Sequence, residues 1–297
     1  MSENSGEIKM PSAEHKVTSF RFQKALEVNR ALVTTPPEVK GWENFYNLPD
    51  GIRPVVATTH MTDTDVQIGA SIFSPLVDVG VASLQTNQTD ALIGKLVALA
   101  GKENFFNIAN TFEEGKPHFQ LNPENFVAMA QAVNEKDKTM VIASHSPVYD
   151  KRQLPDTAGI AAAIVANLTD RVILPVAVEI KSEERVGMSD DMVTSAKKLA
   201  QGKRPPSQVH IAEPIFLDEL PAEYKTSQAD VFAALGLLDG ARRKNMTASE
   251  KALALKTLRR LQKQGEVVLM AQAAELPKEM RGKWDQVLAQ DPMQNPI

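Results

Sequence analysis

No cysteine occurs among the 297 residues. That excludes a thiol nucleophile, thiolate metal ligation and a disulfide framework, and it is compatible with a reducing cytoplasm. Long apolar runs are missing too, since no window approaches the roughly 18 unbroken apolar residues of a membrane span. There is no basic excess: 33 Lys and Arg stand against 37 Asp and Glu, a formal net charge of -4. This argues against a nucleic-acid surface, although local basic clusters can still hold a small phosphorylated substrate. The opening stretch MSENSGEIKMPSAEHK has no apolar centre of the secretory kind, so residues 1–16 are expected to form a flexible leader. No internal repeat and no low-complexity tract stands out. What remains is 43% hydrophobic and 24% charged, the balance of a folded soluble protein with one large core or two modest ones.

Apolar spacing predicts an opening helix over Val17–Val33, ended by Pro36 and Pro37. Val55–Thr59 is a β-branched run suited to a buried strand, and Asp65–Phe73 reads as a helix capped by Asp63 or Thr62. Further strands are expected within Val77–Asn87, Asn104–Asn110, Thr139–Ser144, Arg171–Ile180 and Gln208–Phe216. Helices are expected over Thr89–Gly101, Pro123–Val133 and Thr157–Asn167. This alternation predicts an α/β fold with a mixed, largely parallel sheet flanked by helices. After about Tyr224 the composition turns to Ala, Leu, Lys and Arg at helical spacing. Thr226–Gln264 is therefore read as a helical hairpin or cap. The expected division is a leader at 1–16, an α/β domain at 17–224 and a helical C-terminal extension packed on it at 225–297.

The chemistry-bearing feature is PVVATTHMTDTDVQIGA. It places His60 just past a buried strand and Asp65 five residues on, at a helix start. Strand ends are where open α/β sheets bind ligands. A carboxylate one turn further can accept the Nδ1 proton, leaving Nε2 as a base, which is two-thirds of a triad without the nucleophile. The attacking hydroxyl would then come from the substrate. Taken alone, His-x4-Asp is a weak signal, and a lone histidine is more often a loop or capping residue.

The surrounding blocks add to it. VKGWENFYNLPDGIRPVVATTHMTDTD, TMVIASHSPVYDKRQLP, AGIAAAIVANLTDRVILPVAVEI and VHIAEPIFLDEL occur in that order. They resemble the blocks of the glycerolipid acyltransferases, the glycerol-3-phosphate and 1-acylglycerol-3-phosphate enzymes, over Pro37–Leu220. The resemblance implies the corresponding α/β fold, with His60 and Asp65 on the catalytic positions. It also implies acyl transfer from acyl-CoA or an acyl-carrier protein to a hydroxyl of glycerol 3-phosphate or a lysophospholipid-like acceptor. No cofactor and no metal is implied. A cytoplasmic location with peripheral membrane contact goes with it.

Departures from the family pattern lie around the phosphate site. Thr59 stands where the family has asparagine, and Ser144, His145, Ser146 and Pro147 replace an acidic-Gly-Thr-Arg block. No arginine occurs in Asn107–Thr111, where the family's second motif falls. Plastid-type soluble glycerol-3-phosphate acyltransferases are more similar here, because their loop also lacks the block and carries basic residues later. Asp150, Lys151 and Arg152 can take that part, with the two cations clamping a phosphate beside Ser144 and His145. The altered loop equally suits a non-catalytic acyl- or lipid-binding protein on the same scaffold, or an acceptor without phosphate. The remaining candidates have plainer readings. His145 can be a backbone-bonded loop histidine, and His118 and His210 lack acidic or histidine partners at metal-ligand spacing. Lys151 and Arg152 can be a solvated pair, and Ser146 lacks the Gly-flanked elbow of a nucleophile. Arg242, Arg243, Lys244, Arg259, Arg260 and Lys263 suit an ordinary solvated helix face, with contact to anionic lipid or an acidic carrier protein as the alternative.

Overall fold

A computed structural model describes residues 18–62, 64–83, 104–107, 109–113, 116–121, 123–146, 148, 153–182, 197 and 201–290. The described residues form nine strands. These are β1 (Glu38–Lys40), β2 (Val55–Thr58), β3 (Val79–Ser83), β4 (Phe105–Asn107), β5 (Ala109–Glu113), β6 (Lys116–Leu121), β7 (Thr139–Ala143), β8 (Ile173–Ile180) and β9 (Ser207–Ile211). Seven of them make one sheet in the order β1-β9-β8-β2-β7-β3-β4, while β5 and β6 pair as a separate hairpin. The strands β8, β2, β7, β3 and β4 run parallel. The strand β9 is antiparallel to β8, and β1 is parallel to β9. The sheet is thus mixed and mostly parallel, as the alternation of elements required.

The sequence did not point to β1 or to the hairpin. The stretch read as one strand over Asn104–Asn110 divides into β4 and the start of β5. The strand read through to Phe216 stops at Ile211, after which Ile215 bridges back to Ile173.

Helices cover both faces: α1 (Phe20–Val33), α2 (Trp42–Tyr46), α3 (Asp65–Phe73), α4 (Pro123–Lys136), α5 (Ala161–Thr169), α6 (Gln228–Leu238), α7 (Gly240–Asn245), α8 (Ala248–Glu275) and α9 (Trp284–Ala289). The helix expected over Thr89–Gly101 lies outside the described residues. Side chains alternate across each strand, so the two faces separate cleanly. Val56, Val141, Leu174, Val176, Val178, Val209 and Ile211 pack with Phe22, Leu26, Phe45, Ile68 and Phe73 on one side. Val55, Ala57, Met140, Ile142 and Ile173 pack with Phe126, Met129, Ile164, Val231, Leu235, Leu261 and Val268 on the other. Each large apolar side chain removed from water in this way contributes about 1.5–3 kcal/mol before chain entropy is subtracted.

The GWEN segment has a structural job. Gly41 sits at φ +79°, where a side chain would collide with the Ile211 carbonyl, and the Asn44 amide donates to that same carbonyl at 2.8 Å. This ties α2 to the end of β9.

The strand order places the site. From β2 the chain crosses by α3 to β3, which lies beyond the later β7; from β7 it crosses by α5 to β8, on the other side of β2. The carboxyl ends of β2 and β7 are therefore neighbours where the winding changes direction, the usual ligand crevice of open α/β sheets.

The C-terminal region is helical, as its composition suggested, but α8 runs to Glu275 rather than ending near Gln264. It starts at a capping box in which Thr247 and Glu250 satisfy each other's backbone amides. Gly265 lets it approach the chain closely: a Cβ there would lie 2.4 Å from the Gly159 carbonyl oxygen. Gly265→Ala is accordingly expected to lower stability by about 1–3 kcal/mol through overpacking, read as an earlier denaturant midpoint with an unchanged slope.

Candidate functional site

Thr59, His60, Met61 and Thr62 leave the carboxyl end of β2 and turn into α3. Thr59 is fully buried and prolongs the sheet. Its N–H donates to the Val176 carbonyl at 3.0 Å, its hydroxyl oxygen accepts from the Val178 N–H at 2.9 Å, and the hydroxyl points at Asp65 Oδ2, 3.4 Å away. So Thr59 anchors the turn to β8.

Asp65 has no exposed surface. Its Oδ2 accepts from the backbone N–H of Met61 at 2.7 Å and of Thr62 at 3.2 Å, and its Oδ1 accepts from the Thr62 hydroxyl. Burial drives the carboxyl from its ordinary 3.8 up to about 7, against these hydrogen bonds, which favour the ionised form. Thr64, not Asp63 or Thr62, occupies the N-cap position of α3 and makes no side-chain cap bond; Asp63 lies outside the described residues.

His60 is half-buried at the mouth of this turn. The sequence spacing suggested that Asp65 would take its Nδ1 proton. The structure instead places Nδ1 2.8 Å from the Thr62 carbonyl oxygen. A carbonyl only accepts, so Nδ1 carries the hydrogen and the neutral ring has its lone pair on Nε2. Asp65 therefore orients the imidazole through the backbone: it grips Thr62, and Thr62 holds the ring. His-x4-Asp puts the carboxylate under the turn rather than alongside the ring, because α3 begins at Asp65 itself and carries its side chain back toward the preceding amides.

The β7 loop closes on the same turn. The His60 N–H donates to His145 Nε2 at 3.0 Å, and the His60 carbonyl accepts from the Val148 N–H at 3.2 Å. His145 Nδ1 is 2.7 Å from the Ser146 carbonyl oxygen, which fixes the proton on Nδ1. Desolvation pushes the ring down to about 4, so it stays neutral. Both ring nitrogens of His145 are engaged with backbone, and the ring props the His60 turn.

Ser144 is spent in the same way. Its N–H donates to the Thr58 carbonyl at 2.7 Å, its carbonyl accepts from Gly159 at 2.7 Å, and its buried hydroxyl donates to Gln272 Oε1 at 2.8 Å. The Ser144 hydroxyl, expected at the substrate, is bonded within the chain in this structure. Asp150, Lys151 and Arg152 lie outside the described residues.

His210 on β9 has partners that sequence spacing did not reveal. Glu179 of β8 and Glu275 of α8 stand 3.8 and 3.9 Å from its ring nitrogens, while burial lowers its pKa. The side chain of His118, on β6, is outside what the structure describes. Sequence reasoning also missed Gln272. It is fully buried, and its amide nitrogen donates to the Ala57 carbonyl at 2.7 Å and the Val176 carbonyl at 3.0 Å. Among the described residues, no group of three His, Asp or Glu side chains is placed to hold a metal ion, and no helix is long and apolar enough to cross a membrane.

No family model matches the chain, and no curated protein matches it in sequence. Among solved structures it is similar to the 1-acyl-sn-glycerophosphate (LPA) acyltransferase PlsC from Thermotoga maritima. The identity is 10% and the TM-score 0.39, with 75% of this chain and 78% of that one covered. A likeness at this level says nothing about activity.

The buried carboxyl makes stability depend on pH in a defined direction. Because folding raises its pKa, Asp65 favours the folded state fully below about pH 3.8, and that contribution is lost as pH rises through about 7. The difference in unfolding free energy between the wild type and Asp65→Asn is expected to fall over this window and level off above it. Chemical denaturation of both proteins at a series of pH values reads it directly; a difference independent of pH would mean that Asp65 does not titrate there.

Proposed function

We propose that this chain is an O-acyltransferase in which His60 is the general base. The observation that carries the reading is the imidazole at the carboxyl end of the central strand, with its Nδ1 hydrogen held by the Thr62 carbonyl in a turn fixed by a buried carboxylate. That arrangement keeps one tautomer, with the basic lone pair on Nε2. Among the described residues it supplies a base and its support, which suits a reaction whose nucleophile is a substrate hydroxyl.

In the proposed reaction Nε2 of His60 removes the hydroxyl proton of the acceptor. The oxygen attacks the carbonyl carbon of an acyl thioester, the carbon–sulfur bond breaks, and the leaving thiolate takes the proton back from His60. Acyl-CoA or an acyl-carrier protein as donor, and glycerol 3-phosphate or a lysophospholipid-like molecule as acceptor, come from the resemblance of the GWEN…THMTDTD and following blocks to the glycerolipid acyltransferases. Lys151 and Arg152 would hold the acceptor's phosphate.

A second reading is favoured by the β7 loop. Ser144 and His145 fill the slot where the family holds phosphate, and both are bonded internally. A scaffold that binds acyl chains or lipids without reacting, or an enzyme for a non-phosphorylated acceptor, would tolerate this.

The test is acyl transfer from a panel of acyl-CoA and acyl-carrier-protein donors to phosphorylated and unphosphorylated glycerol acceptors. His60→Ala is expected to cut kcat by about 10²-fold or more; activity that survives it would sink the mechanism. Lys151→Ala with Arg152→Ala is expected to raise KM for a phosphorylated acceptor by about tenfold or more and to spare an unphosphorylated one. Saturable acyl-CoA binding without transfer to any acceptor would establish the binding-protein reading instead.

A further inference from the structure

We infer that Gln272 is a positioning residue of the His60 site, so that the far end of the C-terminal helix α8 completes a site otherwise built on the sheet. The inference rests on the proposal that His60 is the reactive group, but its geometry stands independently.

Three bonds converge on this one side chain. The amide nitrogen spans the carbonyls of Ala57 on β2 and Val176 on β8, two adjacent parallel strands. The amide oxygen accepts from the Ser144 hydroxyl, one residue past the end of β7. These are the central strand β2 and its two neighbours, and the ends of β2 and β7 make the crevice. Each of the three contacts is also one step from a group that fixes His60. Ala57 lies two residues before Thr59, which anchors the turn. Val176 accepts from the Thr59 N–H. Ser144 is followed directly by His145, which accepts from the His60 N–H.

The surroundings of this amide are apolar. Leu269 and Ala273 on α8, with Leu276 just past its end, pack with Met61, Leu154, Ala158 and Ala177 as an apolar cluster. A buried amide among them is tolerated only because its donors and acceptor are satisfied together. An apolar side chain of the same length would fill the space, but the three strand ends would then be held by the sheet's backbone bonds alone, Ser144 N–H to Thr58 and Thr59 N–H to Val176 among them. Precision of that order decides rate, because misplacing a reacting group by about 1 Å costs about 10²-fold.

The experiment compares wild type, Gln272→Met and Ser144→Ala. Methionine keeps the volume and removes all three bonds; alanine at 144 removes only the third and leaves the helix docked. Gln272→Met is expected to lower kcat by about tenfold or more while KM stays within about threefold. Uniform 15N labelling supplies a readout independent of turnover. The backbone amide proton of His60, bonded to a ring nitrogen, is expected to shift and broaden in Gln272→Met and, to a smaller extent, in Ser144→Ala. Distant amides on α1 should remain in place. A folded Gln272→Met with an unchanged His60 amide and unchanged kcat overturns the inference. If that variant does not fold, Ser144→Ala decides by the same two readouts. If the wild type transfers no acyl group, the proposed reaction fails, and the His60 amide alone decides the role of Gln272.

Discussion

A carboxylate with no surface in contact with water survives in a folded protein only where donors converge on it. Asp65 meets that condition with two backbone amides and two threonine hydroxyls, all supplied by Thr59, Met61 and Thr62 just past the end of β2. The turn cannot open without stranding the carboxylate, and the carboxylate cannot leave without stranding the amides. The rest of the site follows from this mutual dependence. The Thr62 carbonyl is aimed at His60 because its own N–H is held, and the His60 backbone is then presented to the β7 loop, where His145 and Val148 close on it. The sheet supplies position; the buried carboxylate supplies conformation.

Much of the sheet was legible because local chemistry and tertiary role agree. Val55–Thr58, Thr139–Ala143 and Ile173–Ile180 are apolar, largely β-branched runs because both faces of a central parallel strand are covered. The short strand Glu38–Lys40 escaped notice because an edge strand has no apolar alternation to display. In the site, spacing revealed that His60 and Asp65 belong together but misjudged how. A sequence interval gives distance along the chain, and the intervening backbone carbonyl that mediates between them carries no sequence signature. For His145 and Ser144, resemblance to a family places residues in a slot, while only coordinates show that their polar atoms are bonded within the chain.

Gln272 was illegible for a different reason. Its partner Ala57 is 215 residues away, and in a helix rich in Gln, Lys and Arg another glutamine reads as part of the wet face. Its burial becomes visible only when α8 is laid across β2 and β8. That same docking depends on glycine at 265, where the helix meets the Gly159 carbonyl without an intervening side chain. A helix that begins among exposed cations thus ends among apolar residues, and its two halves answer to different constraints.

The two borders of the large sheet are its shortest strands, Glu38–Lys40 and Phe105–Asn107, each of three residues. A border strand is an open ladder to which any extended polypeptide can add itself, and its capacity for recruitment grows with its length. At three residues each side presents only a rung or two, and β1 adds a Glu and a Lys on one face to repel a flat apolar visitor. A sheet of seven strands, five of them parallel and slow to assemble, is therefore closed to templated growth at both margins, which protects the chain most during the interval when its central strands are still finding their register.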